Sequence, residues 1–403
     1  MLASLSNQTW FQQTFQPNIF SDWRSNMKLS YIANMRLPSD RAHAWQIMRM
    51  CQAFANNNHD VTLYVPKRKT DSDKNPFEYY NLQPNFKIKR IPVIDLFPIK
   101  WMPRKIAYWV NTFTFSIGLM FKLGKMKKGI VYSRDPFSTF AIGRFVKDWC
   151  YEVHDSPKKT FLNKILFGGI KHVVATNTWK RNQLADTFNL NKDEMNIAHH
   201  GVDVDVFAEL PQKHEAFRVT GLSPQYNHVV YTGHLFEWKG VYALARASRF
   251  LDQNTRVVLV GGTPEDVEKM QDFIDREQLD RVQLTGFKQR ADMLHYVACA
   301  DLFVIPTSAK FQIGMYESSP LKLFEYMATG KPIVATDLPA IRDIVDETMV
   351  EFCEPDKASQ LAQIITQTLE QPSQQKIQTA ADYVKKNTWE ARAKKLVTFI
   401  HGK

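Results

Sequence analysis

Cysteine is scarce: four in 403 residues (Cys51, Cys150, Cys299 and Cys353), with no Cys-x-x-Cys pair and no histidines at metal-ligand spacing beside them. That scarcity excludes a disulfide-stapled secreted module and a zinc ribbon, and it points to a reducing compartment. A signal-peptide pattern is missing too, because residues 1–27 are polar and aromatic rather than a basic stretch followed by an apolar core. Long apolar runs are also absent. The longest, residues 106–121, is broken by Asn111, Thr112 and Thr114 and falls short of the roughly 20 residues a spanning helix needs. Acidic residues are in deficit, 41 against 52 Lys and Arg, which leaves +11. Such a surplus draws polyanions: nucleic acid, phosphorylated ligands or an anionic membrane face. The basic residues are not interleaved with strand-face aromatics as a single-strand groove requires, so nucleic acid is not an expected partner.

What is present is an ordinary globular composition, 44% hydrophobic and 23% charged, long enough for two domains. Short β-branched runs alternate with helical stretches, the pattern of parallel sheets wrapped by helices. One series of strands reads at 28–34, 61–65, 87–91, 130–133, 151–153 and 173–176, with an amphipathic helix at 42–56. A second opens at 229–232 and continues at 257–260, 282–285, 302–305 and 333–336. The expected architecture is α/β: two doubly wound, Rossmann-like domains facing across a cleft, with ligand at the strand C-termini. The expected division is an extension at 1–26, a first domain at 27–208, a linker at 209–227, a second domain at 228–385 and a last helix at 386–403 packing back onto the first domain.

Residues 96–128 carry seven Lys and Arg, no acid, and Trp101, Tyr108 and Trp109 among them. Aromatics beside lysines suit a lipid headgroup layer. A buried helix with a solvated basic end accounts for the same residues, and the sequence leaves both readings open.

The densest chemistry lies in YESSPLKLFEYMATGKPIVATD, residues 316–337. Ser319 and Pro320 read as N-cap and first residue of a helix that stops at Gly330-Lys331-Pro332. The free N–H groups at Ser318, Ser319, Pro320's successor Leu321 and their neighbours, with the positive end of the helix dipole, make a phosphate site. Glu317 just before it and Glu325 on the helix would hold hydroxyls on either side of a diphosphate.

This segment resembles the Glu-x7-Glu motif of retaining GT-B glycosyltransferases of family four. YTGHLFEWKG (231–240), VGG (260–262), TGF (285–287) and HHGVDVDVF (199–207) are similar to further blocks of that family, in order, and residues 36–66 resemble the start of its acceptor domain. The resemblance runs from Met27 to the C-terminus and is more specific in the second half. It implies that Lys239 neutralises the leaving diphosphate, that Glu317 contacts the transferred sugar, that Glu325 holds the ribose, and that His154 lies against the donor sugar. Gly233 opens the diphosphate turn. The family's arginine after that glycine is replaced by His234, which cannot grip two oxygens in a fork. On the acceptor side the candidates are Arg134 and Asp135, at a strand end, and Arg41 and His43, where relatives often carry a glycine-rich loop that this chain lacks. Gly201 and Asp203 lie at the domain junction. Asp203-Val204-Asp205 reads as a DxD metal motif, but it does not follow a nucleotide-binding strand and is expected to be structural.

The expected activity is therefore transfer of a sugar from a nucleotide donor to a saccharide or polyprenyl-linked acceptor in envelope glycan or glycolipid synthesis. No cofactor and no metal are expected. The expected place is the cytoplasm, docked on the inner face of the plasma membrane through 96–128. Two other readings stay open: an epimerase or phosphorylase on the same fold, and a non-catalytic polyanion-binding protein on a degenerate scaffold.

Overall fold

A strand that is apolar on both faces needs helices on both faces, and each half of this chain satisfies that need separately. The computed structural model describes residues 27–39, 41–70, 72–143 and 145–402. The reading of 1–26 as an extension falls outside them. In the first half, β1 (Lys28–Ile32), β2 (Asp60–Lys67), β3 (Lys87–Pro92), β4 (Ile130–Ser133), β5 (Asp148–Val153), β6 (His172–Ala175) and β7 (Met195–Ile197) form one sheet ordered β3-β2-β1-β4-β5-β6-β7. In the second half, β8 (Asn227–Thr232), β9 (Thr255–Val260), β10 (Val282–Gly286), β11 (Leu302–Ile305), β12 (Ile333–Thr336) and β13 (Glu351–Cys353) form another, ordered β10-β9-β8-β11-β12-β13. Every strand pair in both is parallel. The fold is the two-domain GT-B arrangement.

In each sheet the order reverses beside the first strand, between β1 and β4 and between β8 and β11. Loops diverge there and leave a crevice at the strand C-termini. The residues that follow those four strands are 33–43, 134–135, 233–240 and 306–320, which include most of the candidate site.

Three expectations change. β7 and β13 escape the sequence pattern because each has only three residues, too few to show a period. Residues 209–227 are not a bare linker: Lys213–Thr220 is a helix packed on the Arg290–Cys299 helix, and Ala216 and Leu222 enter the second core. The helix start at 319–320 also moves. Pro320 is the N-cap, the helix runs Leu321–Ala328, and no side chain caps it.

The last helix, Trp389–His401, packs on the Ala42–Asn56 helix of the first domain, burying Trp389, Ala393, Leu396 and Ile400 in that domain's core. A Cβ at Gly201 would fall 2.7 Å from the Trp389 Cα, so the chain can cross that helix only as glycine.

Helix Arg104–Met120 has two apolar sides. Ala107, Phe115 and Leu119 are buried, with Asn111 and Thr112 between them. Trp109 (49% exposed), Phe113 (66%) and Ile117 (43%) face solvent, with Trp101 (79%) and Phe121 (82%) just beyond the helix ends. One side of this helix is thus buried, as the buried-helix reading expects, and the other presents aromatics to solvent.

Candidate functional site

Two glycines shape the donor side. After β8 the chain turns at Gly233 with φ +123°, and after the short turn Glu237–Lys239 it turns again at Gly240 with φ +72°. A Cβ at Gly240 would lie 1.7 Å from the Pro306 carbonyl, so only glycine lets this loop pass the β11 loop. Lys239 thus precedes a helix rather than opening one, and the following helix, Val241–Ala247, is too short to offer an anion site of its own. The Lys239 amine lies 3.8 Å from the Trp238 ring centre, and burial lowers its pKa to about 8. Among the described residues no carboxylate is recorded within ion-pair distance of it.

Across the cleft the two domains touch through Glu317. It sits at the end of Ile313–Glu317, a π-helical turn closed by the Ser318 N–H donating to the Ile313 carbonyl at 2.9 Å. Turns of this kind recur at functional sites. Because the Ser318 N–H is spent there, it is not free for a phosphate as the sequence suggested. Glu317 accepts from Ser156 of the first domain at 2.8 Å and from Gln312 at 3.1 Å. Asn177, also of the first domain, donates to the Tyr316 carbonyl at 2.8 Å, and Trp179 stacks on Tyr316.

His154, at the end of β5, lies next to this contact. Its Nε2 is 2.6 Å from Glu152, a wholly buried carboxylate that also pairs with Arg134 at 3.0 Å and Arg392 at 2.9 Å and accepts from the Tyr132 hydroxyl. Burial alone would raise the Glu152 pKa. The field of Arg134, Arg392 and His154 outweighs it and holds the carboxyl well below the usual range. Burial and then Arg134 lower His154 to about 4 despite Glu152, so its ring is neutral at pH 7. An ionised carboxylate only accepts, so the proton is on Nε2 and Nδ1 is left as an acceptor.

Two acceptor-side candidates turn inward. Arg134 is committed to Glu152 and to Gln46, the latter at 3.2 Å. Asp135 is buried and accepts from the Ser138 N–H at 3.0 Å, starting the Pro136–Gly143 helix. A buried charge must be matched from within: Arg134 matches Glu152, and Asp135 is met by the N–H at the helix start. Arg41 and His43 do line an open cavity of about 680 Å³ with Arg36, Arg68, Lys69 and Arg104, against which Asp95 is set. The Arg68 Nε lies 3.7 Å from Asp95 but makes no hydrogen bond among the described residues, and its guanidinium lies over the Phe97 ring.

Asp203 is taken by Arg49, whose Nε donates at 2.8 Å, and lies 3.7 Å from Arg290. The DxD pair therefore does not present two free carboxylates. Arg290 also reaches Glu325 at 3.3 Å while stacking over Trp45 of the first domain at 4.3 Å. Glu325 is buried and already holds that guanidinium. Sequence reasoning missed Arg290, Glu152 and Lys180, whose buried amine donates to the His154 carbonyl. No motif marks them; a lone charge in an apolar strand such as DWCYEV was the one available signal for Glu152.

Residues 226–371 match the family model described as glycosyl transferases group 1. The match falls on the second domain, which carries Gly233, Lys239, Glu317 and Glu325. The chain is similar to the amylovoran biosynthesis glycosyltransferase AmsK of Erwinia amylovora, 26% identical over 34% of this chain and 34% of that protein. It is similar to a D-inositol 3-phosphate glycosyltransferase of Mycobacterium sp. (strain KMS), 29% identical over 42% and 38%. The chain thus spans about a third of the length of these curated relatives. Among solved structures, sucrose-phosphate synthase of Thermosynechococcus elongatus covers 94% of this chain and 99% of its own, with TM-score 0.73 and 15% identity. Anabaena HepE in complex with UDP and glucose covers 94% and 100%, with TM-score 0.70 and 15% identity. At such identity the agreement concerns the fold, and it extends over both domains.

Proposed function

We propose that the whole chain is a retaining glycosyltransferase that moves a sugar from a nucleoside diphosphate donor to a lipid-linked, envelope-type saccharide acceptor. The observation that carries this reading is the contact across the cleft: Glu317 of the second domain accepts from Ser156, two residues after the neutral His154 of the first, and the second domain also carries Lys239, with no carboxylate at ion-pair distance among the described residues. The diphosphate lies against Lys239, the sugar hydroxyls between Glu317 and the His154 Nδ1, and the ribose on Glu325, which it shares with Arg290.

In the transfer an acceptor hydroxyl oxygen bonds to the anomeric carbon as the bond from that carbon to the β-phosphate oxygen breaks. The electron pair leaves with the diphosphate, and the hydroxyl proton passes to the departing phosphate on the same face. No carboxylate at glycosidase spacing is required. The protein's part is to position the reactants and stabilise the leaving charge. Because lysines meet that charge, activity should persist in EDTA.

The acceptor binds beside the Arg41–His43 cavity, whose basic lining suits a phosphate-bearing acceptor. The exposed aromatics of Arg104–Met120, with the seven cations of 96–128, suit docking on anionic lipid. Support comes from the relatives too, one named for amylovoran biosynthesis, another for D-inositol 3-phosphate, and from HepE, solved with UDP and glucose.

The test is a thermal-shift panel of UDP, GDP and ADP on wild type and Glu325→Ala. A ligand at 100 times its Kd stabilises the fold by roughly 2.7 kcal/mol. One diphosphate is expected to raise the wild-type Tm by several degrees and to lose most of that effect in Glu325→Ala. A panel with no shift at all overturns the reading.

A further inference from the structure

Lys322 lies on the first turn of the Leu321–Ala328 helix, directly beneath the turn where the family arginine is missing. Its amine is 3.5 Å from the centre of the Tyr231 ring, and a Cβ at Gly233 would sit 3.0 Å from it. The amine is shielded from solvent and, among the described residues, has no hydrogen-bond partner; the Ser319 hydroxyl, three residues earlier, is in the same state. An ammonium has three N–H groups to satisfy, and a ring face answers only part of that demand. Glu325, the carboxylate nearest in charge, is held by Arg290.

The surroundings are also fixed. The Tyr326 hydroxyl takes the Thr232 N–H at 2.8 Å, and the Gly233 N–H donates to the Val260 carbonyl at 2.8 Å. The Leu321–Ala328 helix and the β8 turn are therefore tied together beside Lys322. His234 offers no substitute. Its ring stacks on Phe236 at 4.8 Å, lies 4.0 Å from Asp266, and is 57% exposed.

We propose that Lys322, with the Ser319 hydroxyl beside it, supplies the second cationic grip on the donor's diphosphate in place of the arginine that His234 replaces. This rests on the glycosyltransferase reading and adds the residue that completes its anion site. Lys239 and Lys322 approach the diphosphate from the β8 loop and from the helix start respectively. Burial, followed by the nearby charge of Lys239, holds the Lys322 amine well below the usual lysine range while the site is empty. A bound dianion removes both penalties.

The experiment is calorimetric titration of the diphosphate that binds (UDP, GDP or ADP), its monophosphate, and inorganic pyrophosphate, on wild type, Lys322→Met, Lys322→Arg and Ser319→Ala. Lys322→Met should weaken the diphosphate and pyrophosphate by about 10- to 100-fold and the monophosphate by no more than about twofold. Lys322→Arg should retain most of the discrimination, and Ser319→Ala should lose about fivefold on the diphosphate alone. Equal loss on mono- and diphosphate would mean a structural role and overturn the inference, as would unchanged diphosphate affinity in Lys322→Met. Should Lys322→Met not fold, Ser319→Ala and Lys322→Arg carry the same test. Wild type that binds none of the three diphosphates sinks the glycosyltransferase reading itself, a separate result from wild type that binds one and a Lys322→Met variant that binds it equally well.

Discussion

Three arginines buried against the first domain meet carboxylates, whereas two lysines around the second domain's β8 turn meet none among the described residues. Arg134 and Arg392 converge on Glu152, and Arg49 on Asp203. Lys239 and Lys322 have only aromatic faces beside them. Removing an ion from water costs several kcal/mol unless an opposite charge meets it. On the function proposed above, the donor's diphosphate would meet both of these charges. Matched charge holds β5 and the C-terminal helix together, and the unmatched pair lies where that proposal puts the diphosphate.

Breaking the matched set should have the largest effect. Glu152→Ala leaves Arg134 and Arg392 buried without their carboxylate and should cost about 3–5 kcal/mol, lowering the Tm by roughly 10 °C in a melt followed by circular dichroism. A Tm within a degree or two of wild type would erase the contrast between the domains. The unmatched set should behave oppositely. Lys239→Ala is expected to cut kcat about 100- to 1,000-fold with the Tm unchanged or raised, because it deletes a charge that nothing in the free protein satisfies.

The same lysine sharpens the comparison through pH. With its pKa lowered to about 8, Lys239 is cationic below that value and neutral above it. Diphosphate affinity should therefore be flat below pH 8 and fall as pH rises through it, and Lys239→Ala should remove that fall. The smallest effect belongs to the first domain's outer surface. Neutralising Lys100, Arg104 or Lys105 singly should weaken binding to vesicles of mixed neutral and anionic lipid by about fivefold each, read by co-sedimentation. Equal binding to purely neutral vesicles would refute the electrostatic part of that docking.

How much was legible in the chain follows the same division. Eleven of the strands show in the β-branched runs, since each is long enough to display apolar continuity; β7 and β13, at three residues, are not. Gly233, Lys239, Glu317 and Glu325 stand out because a turn, a helix start and a strand are contiguous in sequence there, and contiguity is what a motif records. Arg134 and Asp135 were placed on the right strand end but turn inward, Arg134 because the buried Glu152 needs a cation and Asp135 because the N–H groups of the next helix need an acceptor. Arg290 reaches Glu325 from another loop, and Arg392 reaches Glu152 from 240 residues away.

By itself the sequence determined two parallel α/β sheets with crevices at their strand ends, since each strand–helix–strand repeat shows its pattern within a short stretch of chain. The tertiary structure decided which charges are neutralised inside the fold and which remain open to a ligand. That choice depends on distances of a few ångströms between segments far apart in the chain, which no local pattern encodes. Lys322 shows the difference: in sequence it is one more lysine on a helix, and only the closeness of Tyr231 and Gly233, with no carboxylate left free for it, makes it part of the site.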